Sequence, residues 1–175
     1  MNSGEKPAQQ TFMGLIRPHL ERMYRLAYRL TGHREDAQDL VQDVLLKLYP
    51  KCDRLAEVET IAPWLARVLY RQFIDNKRRY AARNLRIVSH AELSANPDQA
   101  PAAQASTETL VEGEFNISRI QTALARLSED HRVIIILHDI EGYSLSEVAE
   151  ITGVNLGTIK SRRQRSRERL QELLD

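Results

Sequence analysis

The sequence is short of the residues that cross-link and punctuate chains. Cys52 is its single cysteine, so no internal disulfide can form, and a reducing compartment fits. The histidines His19, His33, His90, His131 and His138 lie far from Cys52 and show no zinc-ligand spacing. The seven glycines form no phosphate-cradling loop, dinucleotide fingerprint or nucleophile elbow. The carboxylates include no pair that stands out as catalytic. No run approaches the roughly 20 apolar residues of a membrane helix, and the opening MNSGEKPAQQ has no apolar core of signal-peptide length. The expectation is a soluble cytoplasmic protein without catalytic residues, cofactor or metal.

Net charge is also nearly missing: 25 Lys+Arg against 24 Asp+Glu leave a formal +1. That sum hides a sorting along the chain. Residues 67–86 carry Arg67, Arg71, Lys77, Arg78, Arg79, Arg83 and Arg86 against Asp75. Residues 87–118 carry Glu92, Asp98, Glu108, Glu112 and Glu114 and no Lys or Arg. Residues 155–171 then set six Lys or Arg against the single Glu168. Two basic blocks around an acidic stretch point to polyanionic partners that the chain must position itself to meet.

What is present in quantity is helical periodicity. In EDAQDLVQDVLLKLY, Ala37, Leu40, Val41, Val44, Leu45 and Leu48 form one apolar stripe. Thr31-Gly32 ends the helix before it, and Pro50 lies just past its end. A further helix is expected near APWLARVLYRQFIDNKRR, with Pro63 in its first turn and Leu65, Val68, Leu69 and Phe73 facing inward. The run VIIIL at 133–137 fits a buried helix as well as a strand. Residues 89–112, rich in Ala, Ser, Gln and Thr with two prolines, read as a flexible acidic tether. Helices are expected near 115–127, 129–140 and 144–151, with the basic helix last. The fold class is therefore all-α: two small helical domains, 1–86 and 114–175, joined by a linker at 87–113.

The second domain carries a recognisable device. Ser144 with Glu147 three residues on is a capping box. Thr152-Gly153-Val154 is a turn with Gly where positive φ is needed, and Asn155 caps the next helix. Helix, glycine turn and helix make a helix-turn-helix, whose second helix enters the DNA major groove. Leu156, Ile159, Arg163, Ser166 and Leu170 share one side of that helix. On the other side Thr158, Lys160, Ser161 and Arg165 are placed to read base edges. Arg162, Arg167 and Arg169, nearer the flanks, suit phosphates. A solvated basic helix end is the bland alternative; the cap, turn and cap in sequence favour DNA.

In the first domain Asp36, Asp39, Gln42, Asp43 and Leu46 lie opposite the stripe at 37–48. An acidic row alone reads as a solvated face, but Leu46 among acids needs a partner to bury it. On the next helix Arg67, Arg71 and Arg78 form a row, interleaved with Trp64, Tyr70, Phe73 and Tyr80, a mixture suited to single-stranded DNA.

RLSEDHRVIIILHDIEGYSLSEVAEITGVNLGTIKSRRQRSRERL resembles the promoter-binding C-terminal domain of extracytoplasmic-function (ECF) sigma factors of bacterial RNA polymerase. EDAQDLVQDVLLKLY with APWLARVLYRQFIDNKRR resembles that family's N-terminal domain. The resemblance covers most of 12–86 and 115–174 and implies a transcription initiation factor. Asp36, Asp39, Gln42, Asp43 and Leu46 would dock on the clamp of the largest polymerase subunit. Arg67, Arg71, Lys77 and Arg78, with the loop CDRLAEVETIAP, would engage and open the minus-10 element, duplex giving way to single strand. Thr158, Lys160, Ser161, Arg162, Arg165 and Arg169 would bind the minus-35 element. An anti-sigma factor is the implied regulator, and no membrane insertion is expected. The chain departs from the family pattern at Arg71 (Asn expected), Arg163 and Ser166 (Leu and Ala expected) and Ser128 (Pro expected). Two rival readings exist: a dimeric repressor, disfavoured by the tethered first domain, and a DNA-free mimic of a sigma factor, disfavoured by the basic 155–169 segment.

Overall fold

The computed structural model describes residues 12–90, 119–120 and 122–174, and all regular structure among them is helical. The chain divides into two compact units, Met1–Asn96 and Pro97–Asp175.

In the first unit, α1 (residues 12–16) leads through a 3-10 turn at Arg17–His19 into α2, Leu20–Thr31. Helix α3 spans Arg34–Leu48, a second 3-10 turn Tyr49–Lys51, α4 Cys52–Ala56 and α5 Ile61–His90. Helices α2, α3 and α5 pack against one another. Each buries one stripe. Helix α2 buries Met23, Leu26, Ala27 and Leu30, spaced i, i+3, i+4, i+7. It stops where Gly32 takes φ 80° and its N–H reaches the Tyr28 carbonyl at 2.8 Å, a left-handed cap that side chains with a Cβ resist. Helix α3 buries Ala37, Leu40, Val41, Val44 and Leu48 of the stripe legible in the sequence, with Leu45 at its edge only half-buried. Helix α5 buries Leu65, Ala66, Leu69, Gln72 and Phe73. Val68, expected on that inward face, is only half-buried, and Ala66 takes the place beside Leu69.

Helix α5 continues to His90, past Arg86 where the sequence reading ends the first domain. The rest of the expected linker, 91–113, lies outside the described residues. From Lys77 to Arg83 every side chain of α5 is exposed, so this part of the helix stands beyond the core.

In the second unit, residues 122–125 form a short helix, α6. Helix α7, Glu129–Ile134, runs directly into a wider π-helical segment, Ile135–Ile140. The Glu141 N–H donates to the Ile136 carbonyl at 2.9 Å, five residues back instead of four. The VIIIL run is therefore helix, and Val133, Ile134, Ile135, Ile136 and Leu137 are all buried. Burial on every side removes the period that would have distinguished helix from strand. Helix α8, Leu145–Thr152, begins at a complete capping box: Glu147 N–H donates to Ser144 Oγ at 3.2 Å, and Ser144 N–H to Glu147 Oε2 at 2.7 Å. The turn is Gly153-Val154-Asn155, one residue later than the sequence reading placed it. Gly153 holds φ 74° and returns its N–H to Ala149 at 2.8 Å. Helix α9, Leu156–Leu174, is capped by Asn155 Oδ1, which accepts from Gly157 N–H at 2.8 Å.

The capping box gives a direct test of this local account. Ser144→Ala should destabilise the second unit by about 1 kcal/mol, whereas Ser144→Asp, which still accepts from the Glu147 N–H, should stay within a few tenths. Urea unfolding of the full chain followed by far-ultraviolet circular dichroism measures both. Equal losses would mean that the cap contributes nothing beyond side-chain size.

Candidate nucleic-acid interface

Helix α9 follows α8 through the glycine turn, and the two pack together. Its inward side holds Ile159 and Ser166, both buried, with Arg163 and Leu170 half-buried; Leu156, expected on that side, is exposed. Thr158, Lys160, Ser161 and Arg165 are all exposed on the outward side or its edges, as the periodicity requires. Ser161 Oγ donates to the Thr158 carbonyl at 3.0 Å, and Gln164 Nε2 to Glu168 Oε1 at 3.1 Å. Lys160 and Arg165 have no ion-pair partner among the described residues.

The flanking cations are different. Arg162 pairs with Asp130 of α7 at 2.9 Å, and Arg169 with Glu172 at 2.7 Å. Arg167 grips Asp139 with two N–H groups, the Nε one at 3.0 Å. The cations assigned to phosphates thus carry carboxylates in the free protein. The sequence reading missed Asp130 and Asp139 because they sit on another helix, roughly thirty positions upstream; Glu172, three residues after Arg169 on α9, was within local reach.

On α5, Arg71 and Arg78 are exposed and Arg67 half-buried, all on the side away from Leu65 and Leu69. Arg67 Nε is buried and donates to nothing among the described residues. Lys77 stands off this row and lies 5.5 Å over the Phe73 ring. Of the interleaved aromatics Phe73 is core, Trp64 and Tyr70 are half-buried, and Tyr80 is 70% exposed.

On α3, Asp36, Asp39 and Gln42 are exposed, and Leu46 is 66% exposed. Asp43 departs from the expected exposed row. It is half-buried, and its Oδ2 accepts from Gln72 Nε2 at 3.4 Å and from Asn76 Nδ2 at 3.3 Å across the α3–α5 seam. Gln72 Nε2 also donates to Asn76 Oδ1 at 2.8 Å, and Lys47 Nζ donates to Gln72 Oε1. A buried amide left without partners would cost about 1–3 kcal/mol, so these bonds fix where α3 lies on α5. Gln72 falls on the inward register of α5, seven residues after Leu65. A polar residue inside an apolar stripe was the available signal.

Among the described residues no helix is long and apolar enough to cross a membrane, and no cluster of His, Cys, Asp and Glu could hold a metal ion.

Comparison with known proteins matches the two units separately. Residues 15–83 match Sigma-70 region 2, and residues 117–170 match Sigma-70, region 4. The chain is 34% identical over 172 residues to the ECF RNA polymerase sigma factor SigE of Mycolicibacterium smegmatis, covering 98% of this chain and 65% of that one. To the ECF RNA polymerase sigma factor SigM of Mycobacterium tuberculosis it is 31% identical over 165 residues, covering 93% and 76% respectively. The sigma factor RpoE of Bartonella quintana, solved in complex with the anti-sigma factor NepR, matches with a TM-score of 0.70. That match has 31% identity and covers 93% of this chain and 96% of that one. Helix-turn-helix, α2–α3–α5 bundle and both family matches agree: the chain belongs to the ECF sigma factors of RNA polymerase.

Proposed function

We propose that this chain is an alternative sigma factor that docks on core RNA polymerase, reads minus-35 and minus-10 promoter elements and starts transcription of a signal-responsive set of genes. The observation that carries this reading is the outward side of α9. Thr158, Lys160, Ser161 and Arg165 stand exposed on a capped helix, directly after a turn built for major-groove entry. In the reading, these four contact base edges at minus-35. Arg162 and Arg169 exchange their carboxylates for phosphates. Their partners Asp130 and Glu172 are 60% and 62% exposed, and such surface pairs are worth about 0–1 kcal/mol, so little is lost in the exchange.

In the first unit, Asp36, Asp39, Gln42 and Leu46 would meet the clamp of the largest polymerase subunit, and Asp43 would support that face from behind through Gln72 and Asn76. Arg67, Arg71, Lys77 and Arg78 would track the minus-10 strand as it opens. The factor has no chemistry of its own in this reading; bond formation belongs to the polymerase. It would work in the cytoplasm, where core polymerase is. Because the similar RpoE was solved with NepR, an anti-sigma factor is the expected regulator here too.

Run-off transcription tests the whole reading: core polymerase with and without the protein, on a library of duplex fragments. Sequence-dependent transcripts that require the protein support it, and none would sink it.

Docking has its own test. Asp39→Arg combined with Leu46→Glu should cost more than about 2 kcal/mol of core binding, the loss typical of an interface anchor, with helix content unchanged. Asp43→Arg should instead lower the melting temperature of the free protein, since it breaks the Gln72–Asn76 network. Co-purification with core at wild-type yield by the Asp39/Leu46 double variant would remove α3 from the interface.

Base reading by α9 is checked by promoter-variant binding. Lys160→Ala or Arg165→Ala should each cost about 1–3 kcal/mol and relax preference at one or two promoter positions. An equal loss on every sequence would make α9 an electrostatic clamp and leave promoter choice to the first unit.

A further inference from the structure

Helix α9 is held to its unit by little apolar surface. Ile159 is its one buried hydrophobic residue among those described, and Leu170 and Leu173 are partly buried against Leu124, Leu127 and Ile135. Between Ile159 and Leu170, at the seam position where an amphipathic helix would carry a large apolar side chain, stands Arg163. Its Nε is buried and donates to nothing among the described residues. Ser166, also buried, bonds back within α9 to the Arg162 carbonyl at 2.7 Å and makes no tie across the seam through its hydroxyl.

What replaces the missing apolar anchor is a carboxylate. Asp139, near the end of the π-helical segment, has a side chain only 17% exposed. Its Oδ1 accepts from Arg167 Nε at 3.0 Å and from a terminal Arg167 N–H, and lies 3.7 Å from a terminal nitrogen of Arg163. An apolar contact has no preferred direction about the helix axis. A carboxylate held by a planar guanidinium through two N–H groups does.

We infer that Asp139 is a positioning and specificity-determining residue for the recognition helix. By holding Arg163 and Arg167 it fixes the rotation of α9 about its own axis, and therefore which side chains face the groove. At a side-chain radius of about 5–6 Å, a rotation of roughly 30° moves an outward tip by about 3 Å, a full hydrogen-bond length. The same grip keeps two cations away from phosphates that carry no sequence information. Asp139 touches no base in this scheme; it acts through α9. The inference rests on the promoter reading proposed above and deepens it.

The test uses holoenzyme assembled from core polymerase and the full chain. Two duplexes serve as probes: one fragment selected from a randomised library by the wild-type holoenzyme, and a scrambled duplex of the same composition. Binding is measured by fluorescence anisotropy at several salt concentrations. Asp139→Asn should reduce discrimination between the two duplexes by about tenfold, the equivalent of one misread base pair. It should also steepen the salt dependence on the scrambled duplex by about one to two in log–log slope, because one or two released guanidiniums now neutralise phosphates. The exchange Asp139→Arg with Arg167→Asp should restore most of the lost discrimination. A merely structural residue would lower the melting temperature and weaken both duplexes equally, with the slope unchanged; that result overturns the inference, as does an exchange that recovers nothing. If the wild-type holoenzyme shows no preference between the duplexes, the promoter reading itself fails and takes the inference with it. Wild-type preference with an unaltered Asp139→Asn variant fails the inference alone.

Discussion

A surface kept free for a partner cannot also be a core, and each of the helices α3, α5 and α9 is divided by that constraint. Helix α3 turns Ala37, Leu40, Val41, Val44 and Leu48 inward and keeps Asp36, Asp39 and Gln42 in solvent. Helix α5 does the same with Leu65, Leu69 and Phe73 on one side and Arg71 and Arg78 on the other. Amphipathic packing then supplies most of the positioning and spends few charged residues. Helix α9 is the extreme case, because its six cations leave room for few apolar residues. There the division is completed by ion pairs to a neighbouring helix.

The contrast between the two seams is instructive. Between α3 and α5 the polar tie is a network of two amides, the Asp43 carboxylate and the Lys47 ammonium set within a well-filled apolar interface. Such a tie adds registry to contacts that already hold the helices together. Between the π-helical segment and α9 the tie carries more of the load, since so little apolar surface accompanies it. In the proposed function the two solutions would suit their partners: a protein surface can be met by a row of side chains with some play, whereas base edges require side chains held to within a hydrogen bond's tolerance.

Much of this was legible from the chain alone, and what was legible shares a property. Gly32, Gly153, the Ser144–Glu147 box and the Asn155 cap act through residues at most four positions away, so their spacing declares them. The stripe at 37–48 is equally local. The misses are long-range or aperiodic. VIIIL lost its period because all five residues are buried. Asp43 looked like a member of an acidic row until Gln72 and Asn76 closed on it from another helix. Asp139 gave no sign at all, since its partners lie on α9. Arg163 did give one: a cation in an apolar seam marks a missing partner even when the partner cannot be named.

The wide turn at Ile135–Ile140 gives residue number a meaning of its own. A π-helical turn holds about one residue more than an α-helical one. By the end of the segment the chain lags a regular helix by roughly 100°, one residue's worth of rotation. Asp139 therefore points close to where its predecessor would point if the helix were regular. Its aim toward α9 is set by a count, and no property of the aspartate side chain itself encodes it. Removing His138 from the segment would swing the carboxylate to another face with every hydrophobic side chain still available for burial. Length in this stretch is under the same constraint as identity, and the tolerance to insertion and deletion that surface loops enjoy stops at its edges.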